Sequence, residues 1–84
     1  MCLAVPGQVR SVEQIGDNLL GSVDFGGVTR SVFLDFTPEA GPGDYVMVHV
    51  GFSISQVDEE EARENWRLLE RLGLLEEPEA GGGP

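Results

Sequence analysis

Asp44-Tyr45-Val46-Met47-Val48-His49-Val50-Gly51-Phe52 is the stretch that decides the fold class. Val46, Val48 and Val50 alternate with Tyr45, Met47 and His49, a period of two that puts the three valines on one face of an extended strand. Gly51 allows a bend or bulge, and residues 53–57 then supply a short further strand. Upstream, Gln8 to Ile15 alternates in the same way, with Val9 and Ile15 facing inward, and Gly16-Asp17-Asn18 is a turn by composition. Leu19 to Phe25 reads as the second strand, and Gly26-Gly27 is a strong hairpin signal. Val28 to Phe36 makes the third, with Val28, Val32 and Leu34 sharing a face. Thr37 to Gly43, with two prolines and two glycines, is a loop. Five short strands with glycine-rich turns predict a mainly β domain, a small OB-like five-stranded barrel.

After Val57 the period changes from two to that of a helix. Asp58 followed by Glu61 fits a capping-box-like start, and the acids at 59, 60 and 61 favour the positive end of the helix dipole. Ala62, Trp66, Leu69 and Leu72, with Leu68 and Leu75 beside them, form an apolar stripe suited to packing on the barrel. Glu59 and Arg63 are spaced for an i,i+4 ion pair, and Gly73 loosens or ends the helix. The expected organisation is one domain over residues 1–75: an N-terminal arm and barrel over 1–57 and a C-terminal α-helix over 58–75. Residues 76–84 carry acids, glycines and prolines without an apolar anchor and are expected to be disordered.

A chain of 84 residues has room for one small core. Its formal charge is −10, lysine is absent, and the five basic residues are Arg10, Arg30, Arg63, Arg67 and Arg71. A basic footprint for nucleic acid cannot be assembled from these, so protein partners are favoured over nucleic acid or a membrane. No apolar run is long enough to span a bilayer, and no basic segment precedes an apolar one as in a secretory signal. A cytoplasmic protein is expected.

The single cysteine, Cys2, excludes an intramolecular disulfide. With His49 as the one other soft candidate, it also excludes a self-contained four-ligand zinc site, so further ligands for any metal must come from outside the chain. Pro6-Gly7 fits the central positions of a type II turn, which would set Cys2 to Val5 apart from the barrel and leave the thiol free. Removal of the initiator methionine would place an α-ammonium on Cys2 and favour its thiolate. Taken alone, a cysteine at position 2 is a weak motif. A lone strand histidine is more often a structural residue bonded to a neighbour than a ligand. His49 thus reads either as that or as a second ligand or charge partner for Cys2.

Two blocks together are far more specific. Met1-Cys2-Leu3-Ala4-Val5-Pro6-Gly7-Gln8-Val9 resembles the N-terminal signature of the HypC/HybG/HupF family of hydrogenase maturation chaperones. Gly43-Asp44-Tyr45-Val46-Met47-Val48-His49-Val50-Gly51-Phe52 is similar to that family's internal signature, and the acidic helix with Glu59, Glu61 and Ala62 is similar as well. The likeness runs from residue 1 to about residue 75. Ser53 departs from it, alanine being more usual there, a small change that leaves the chemistry undisturbed.

The resemblance implies an OB-like barrel with a C-terminal helix and a non-enzymatic task in assembling the nickel–iron site of [NiFe] hydrogenases. It implies two partners, the iron–sulfur protein HypD and the precursor of the hydrogenase large subunit. Iron is held transiently, as an Fe(CN)2CO unit, and no cofactor is bound permanently. Carried over by position, the metal-holding residues are Cys2 and His49, and the partner-binding residues are Cys2, Leu3, Pro6, Gly7 and His49. A soft thiolate with an imidazole suits iron, and a chain that supplies few ligands releases its cargo more readily than one that supplies all. The alternatives are an interaction module that carries no iron and a precursor-protecting paralogue dedicated to one hydrogenase.

Overall fold

In a computed structural model, which describes residues 4–73, the valine-rich segments close on themselves. The elements are β1 (Val5–Ile15), β2 (Asn18–Asp24), β3 (Thr29–Phe33), β4 (Tyr45–His49), β5 (Phe52–Val57) and α1 (Glu59–Arg71). The strands form a closed barrel in the order β1-β2-β3-β5-β4, antiparallel apart from a short parallel pairing of β3 with β5 at Phe33 and Phe52. The ring of strands is closed at that one pair, and the expected OB-like barrel followed by a helix is what forms.

The core is set by strand alternation. Val9, Val23, Val32, Leu34, Ala40, Val46 and Val48 are buried together, with Leu19 and Phe25 packed against them. Two close approaches need glycine. A Cβ on Gly7 would lie 2.5 Å from Val23 Cγ1 and 2.8 Å from Phe25 Cε1, and one on Gly21 would lie 2.6 Å from Leu34 Cδ1. Thr37 and Ser53 are the buried polar residues, and their hydroxyls bond each other at 2.7 Å. Each thereby satisfies the other in a place water does not reach.

Several boundaries differ from the sequence expectation, each for a physical reason. Pro6 and Gly7 do not form a turn: they lie within β1, opposite Met47 and Val46 of β4. Val9 donates its N–H to the Asp44 carbonyl, so the odd residues of this segment direct their amides at β4. Pro6 faces the other way, before pairing with β2 begins at Gln8↔Asp24, so its missing N–H costs no ladder bond. Gly7 has no positive φ, and its role is to admit Val23 and Phe25.

Ile15 is half exposed rather than inward. The register of β1 on β2 slips between Val9 and Ser11, which makes Arg10 a bulge residue and reverses the alternation beyond it. Val28 also lies outside the core, at 43% exposure, because its carbonyl accepts the Phe25 N–H and so belongs to the hairpin loop. Val50 does not continue the valine face either. It has φ 54° beside Gly51 at φ 80°, so the two form a tight turn from His49 to Phe52, and the strand expected to run to Phe52 stops at His49, with Phe52 opening the next.

Asp58 caps α1, its carboxylate accepting the Glu61 N–H at 2.8 Å, and Glu59 pairs with Arg63. Gly73, with φ 73°, follows the last turn and stops the helix. The helix packs on β1 and β4 through Ala62, Leu69 and the half-buried Trp66. Leu68 and Leu72 are exposed, Leu72 being the C-cap residue rather than part of a continuing face. Leu75 and residues 76–84 lie outside the described residues.

Candidate functional site

Strand β4 has two different ends. At its Tyr45 end a groove of about 250 Å³ opens between the barrel and α1, lined by Pro6, Gly7, Tyr45, Arg63 and Trp66 among others. Trp66 lies over the β2–β3 hairpin, so close that a Cβ on Gly26 would sit 2.9 Å from its ring. Asp24 borders the same groove and is held by Arg10 at 2.9 Å and by the Gly27 N–H at 2.8 Å. The hydrogen bond from the Arg10 guanidinium, helped by that amide, holds the Asp24 carboxyl below its ordinary range.

His49 stands at the other end, four residues along β4 and about 13 Å from Tyr45. It is half-buried, and among the described residues no hydrogen-bond partner fixes its imidazole. The alternation that buries Val46 and Val48 turns His49 to the outside of the barrel, as its sequence position predicts. Its antiparallel partner is Phe52, and directly opposed residues point to the same side. Phe52 in turn stacks on Phe33, with ring centroids 5.2 Å apart, and meets Phe36 at 5.9 Å. An imidazole and three phenyl rings therefore follow one another across the outer face of β4, β5 and β3.

The residues expected to act together divide between these ends. Pro6 and Gly7 are buried within β1 and border the groove, where they shape the barrel. His49 is at the far end, and Cys2 and Leu3 lie outside the described residues. Connectivity still bounds the cysteine. Val5 pairs with Val48, the neighbour of His49, and three residues of chain span at most about 11 Å. Among the described residues no three histidine, cysteine, aspartate or glutamate side chains gather as a metal site.

Sequence reasoning did not single out Phe33 and Phe36. The signal for Phe33 was present: in Val32-Phe33-Leu34 the alternation that buries the two aliphatic residues must put the phenyl outside. Phe36 lies past the end of β3, where alternation says nothing.

Comparison with known proteins decides the family. Residues 1–69 match the HupF/HypC family. The chain belongs to that family. A hydrogenase maturation factor HypC of Synechocystis is 51% identical over 76 residues, covering 88% of this chain and all of the relative. The protein of the same description from Cupriavidus necator is 42% identical over 93% of this chain and 83% of its own length. That from Escherichia coli is 36% identical over 96% and 91% respectively. The match includes both blocks, Met1 to Val9 and Gly43 to Phe52, that carried the resemblance.

Proposed function

We propose that the chain is a cytoplasmic, non-enzymatic hydrogenase maturation factor that holds an Fe(CN)2CO unit as cargo and passes it between two proteins. The supplier is a HypD-type iron–sulfur protein, and the acceptor is the precursor of a [NiFe] hydrogenase large subunit. The observation that carries this reading is the family match over residues 1–69, which contains the cysteine block and the histidine block in order. Cys2 is the cargo's thiolate ligand, and His49 is a second ligand or the charge partner of the thiol. The attachment of the arm to β1, one β4 residue away from His49, supports their cooperation.

In this reading the barrel supplies a rigid base and the arm supplies reach. Few protein ligands mean that the acceptor's own thiolates can displace the carrier, since each exchange replaces one soft ligand by another. Pro6 and Gly7 act through the barrel, by fixing where the arm begins.

The test is co-purification from cells that express the maturation proteins, with iron analysis and infrared spectroscopy of the complex. CN and CO bands that vanish with Cys2→Ala and weaken with His49→Ala are the expected result. A complex that forms without iron or those bands would favour an interaction module and overturn the cargo role.

A further inference from the structure

His49 raises a question of orientation. A ligating histidine is ordinarily held by its second ring nitrogen, which donates to a carboxylate, a carbonyl or water and so fixes the direction of the ring. Among the described residues His49 has no such bond. An imidazole without that anchor is aimed by packing or is not aimed at all.

The packing around it is one-sided. In the closed order of strands β4 lies between β1 and β5, so the imidazole has a different neighbour on each side. On the β5 side stands Phe52, its directly opposed residue, and the Cβ atoms of such pairs are about 5 Å apart. On the β1 side the pairing with β4 ends at Val5↔Val48, and the next residue toward the N-terminus is the small, half-buried Ala4. A phenyl ring closes one side, whereas a methyl group leaves the other open. The open side is the one from which the arm bearing Cys2 leaves β1.

The phenyl ring is itself held from behind. Phe33 stacks on it at 5.2 Å with 25° between the ring planes, and Phe36 lies against it at 5.9 Å. The Phe33 N–H donates to the Gly51 carbonyl at 2.8 Å, which ties β3 to the turn joining His49 to Phe52. Next along the chain, Ser53 is fully buried and bonded to Thr37 at 2.7 Å. Phe33 and Phe52 are each 39% exposed, so they give the fold less than a buried phenylalanine would. Their grouping beside one unanchored imidazole therefore calls for a reason other than the core.

We infer that Phe52, backed by Phe33 and Phe36, is a positioning residue for His49. Its ring fills the β5 side, keeps the imidazole from turning that way and presents the ring nitrogens to the β1 side, where the arm brings Cys2. The rings take the place of the absent hydrogen bond. This inference rests on the function proposed above, in which His49 works with Cys2, and it adds what aims the imidazole.

The test uses the full chain alone, with cobalt(II) as the probe. Cys2 is the only thiol, so thiolate-to-cobalt charge-transfer absorption reports binding at the arm and nowhere else. Dissociation constants, with thermal melting beside them, are measured for the wild type, Phe52→Val, His49→Ala and the double variant. Valine suits a strand and removes the ring. Phe52→Val should bind cobalt about tenfold more weakly, and Phe52→Tyr, which keeps the ring, should stay within about threefold of the wild type. In the His49→Ala background Phe52→Val should change nothing further, because the ring acts only through the imidazole. Phe33→Ala removes the backing alone and should weaken binding less; the same cycle applies to it should Phe52→Val fail to fold.

Equal weakening by Phe52→Val with and without His49 would overturn the inference, since the ring would then act on the fold or on the arm directly. So would wild-type affinity in Phe52→Val beside weakened binding in His49→Ala, for the imidazole would then take part and be aimed by something else. Wild-type affinity in His49→Ala would overturn the joint role of Cys2 and His49 proposed above, and this inference with it.

Discussion

The two ends of β4 share one strand and solve opposite problems. At the Tyr45 end, α1 covers the barrel, Trp66 closes over Gly26, and Gly7 lets Val23 and Phe25 approach the β1 backbone. Every feature there lowers the exposed apolar area. At the His49 end, a valine is held in a left-handed conformation, phenyl rings stand in solvent, and the imidazole has no hydrogen-bond partner among the described residues. Stability is concentrated where the chain has been closed by its own helix. The residues with chemistry or contact surface to offer are at the end left uncovered, and some of them cost the fold free energy.

Substitutions should reveal that division. The largest effect is expected at the closed end, from Gly7→Ala. The added methyl would meet Val23 Cγ1 at 2.5 Å and Phe25 at 2.8 Å, inside a core with little freedom to move. A loss of about 1–3 kcal/mol in a urea titration is expected, with hydrogenase maturation falling only in proportion to the folded fraction. A neutral Gly7→Ala would show that the closed end is looser than its packing implies.

Next comes the buried hydroxyl pair beneath the open end. Ser53→Ala removes the partner of Thr37 Oγ1 and leaves that hydroxyl buried without its 2.7 Å bond. The expected cost is about 1–2 kcal/mol. Replacing both, with Thr37→Val alongside, should recover much of it, because no polar atom is then stranded. If the single variant is as stable as the wild type, Thr37 has found another acceptor and the pair contributes nothing.

Val50→Asn reverses the sign. Asparagine tolerates the left-handed region in which valine is strained, so unfolding should require about 1 kcal/mol more. A gain at this position, set against losses at Gly7 and Ser53, would be direct evidence that the open end is not optimised for folding. A destabilised Val50→Asn would mean that the valine packs usefully and that the contrast between the ends is overstated.

Much of this architecture was legible in the sequence, and the exceptions share a cause. Alternation correctly placed Val9, Val32, Leu34, Val46 and Val48 inside and His49 outside, because a strand's two faces are fixed by a period of two. It failed wherever the backbone departed from that period. The bulge at Arg10 turned Ile15 outward, and the paired positive φ values at Val50 and Gly51 ended the fourth strand at His49, short of the expected Phe52. Pro6-Gly7 has the composition of a turn, but a proline whose nitrogen faces no partner and a glycine needed for close packing are equally at home in a strand. For the candidate site, the motif blocks named Cys2 and His49, yet local patterning could not show that His49 adjoins a row of rings. That row depends on the parallel contact of β3 with β5, a pairing between segments far apart in sequence.

The smallest effect concerns pH at the closed end. Asp24 bonds Arg10 at 2.9 Å, and the bulge that exposes Ile15 also makes Arg10 the extra residue on its strand. The guanidinium's hydrogen bond keeps the Asp24 carboxyl below its ordinary value of 3.8. A carboxyl with a depressed folded-state pKa binds fewer protons when folded than when unfolded. Its contribution is therefore fully present at neutral pH, begins to fade as pH drops toward 4, and is lost as the pH passes below the folded-state value. Because the Arg10 side chain is 58% exposed, solvent screening limits the pair to less than about 1 kcal/mol. Arg10→Ala should accordingly lower stability slightly at pH 7 and by less at pH 3, where the unfolded carboxyl has begun to take up its proton. Added salt should shrink the neutral-pH difference further. Urea titrations of the wild type and the variant at the two pH values measure this directly. An equal gap at both would mean that Arg10 acts through its aliphatic stem, packing the closed end and not pairing with Asp24.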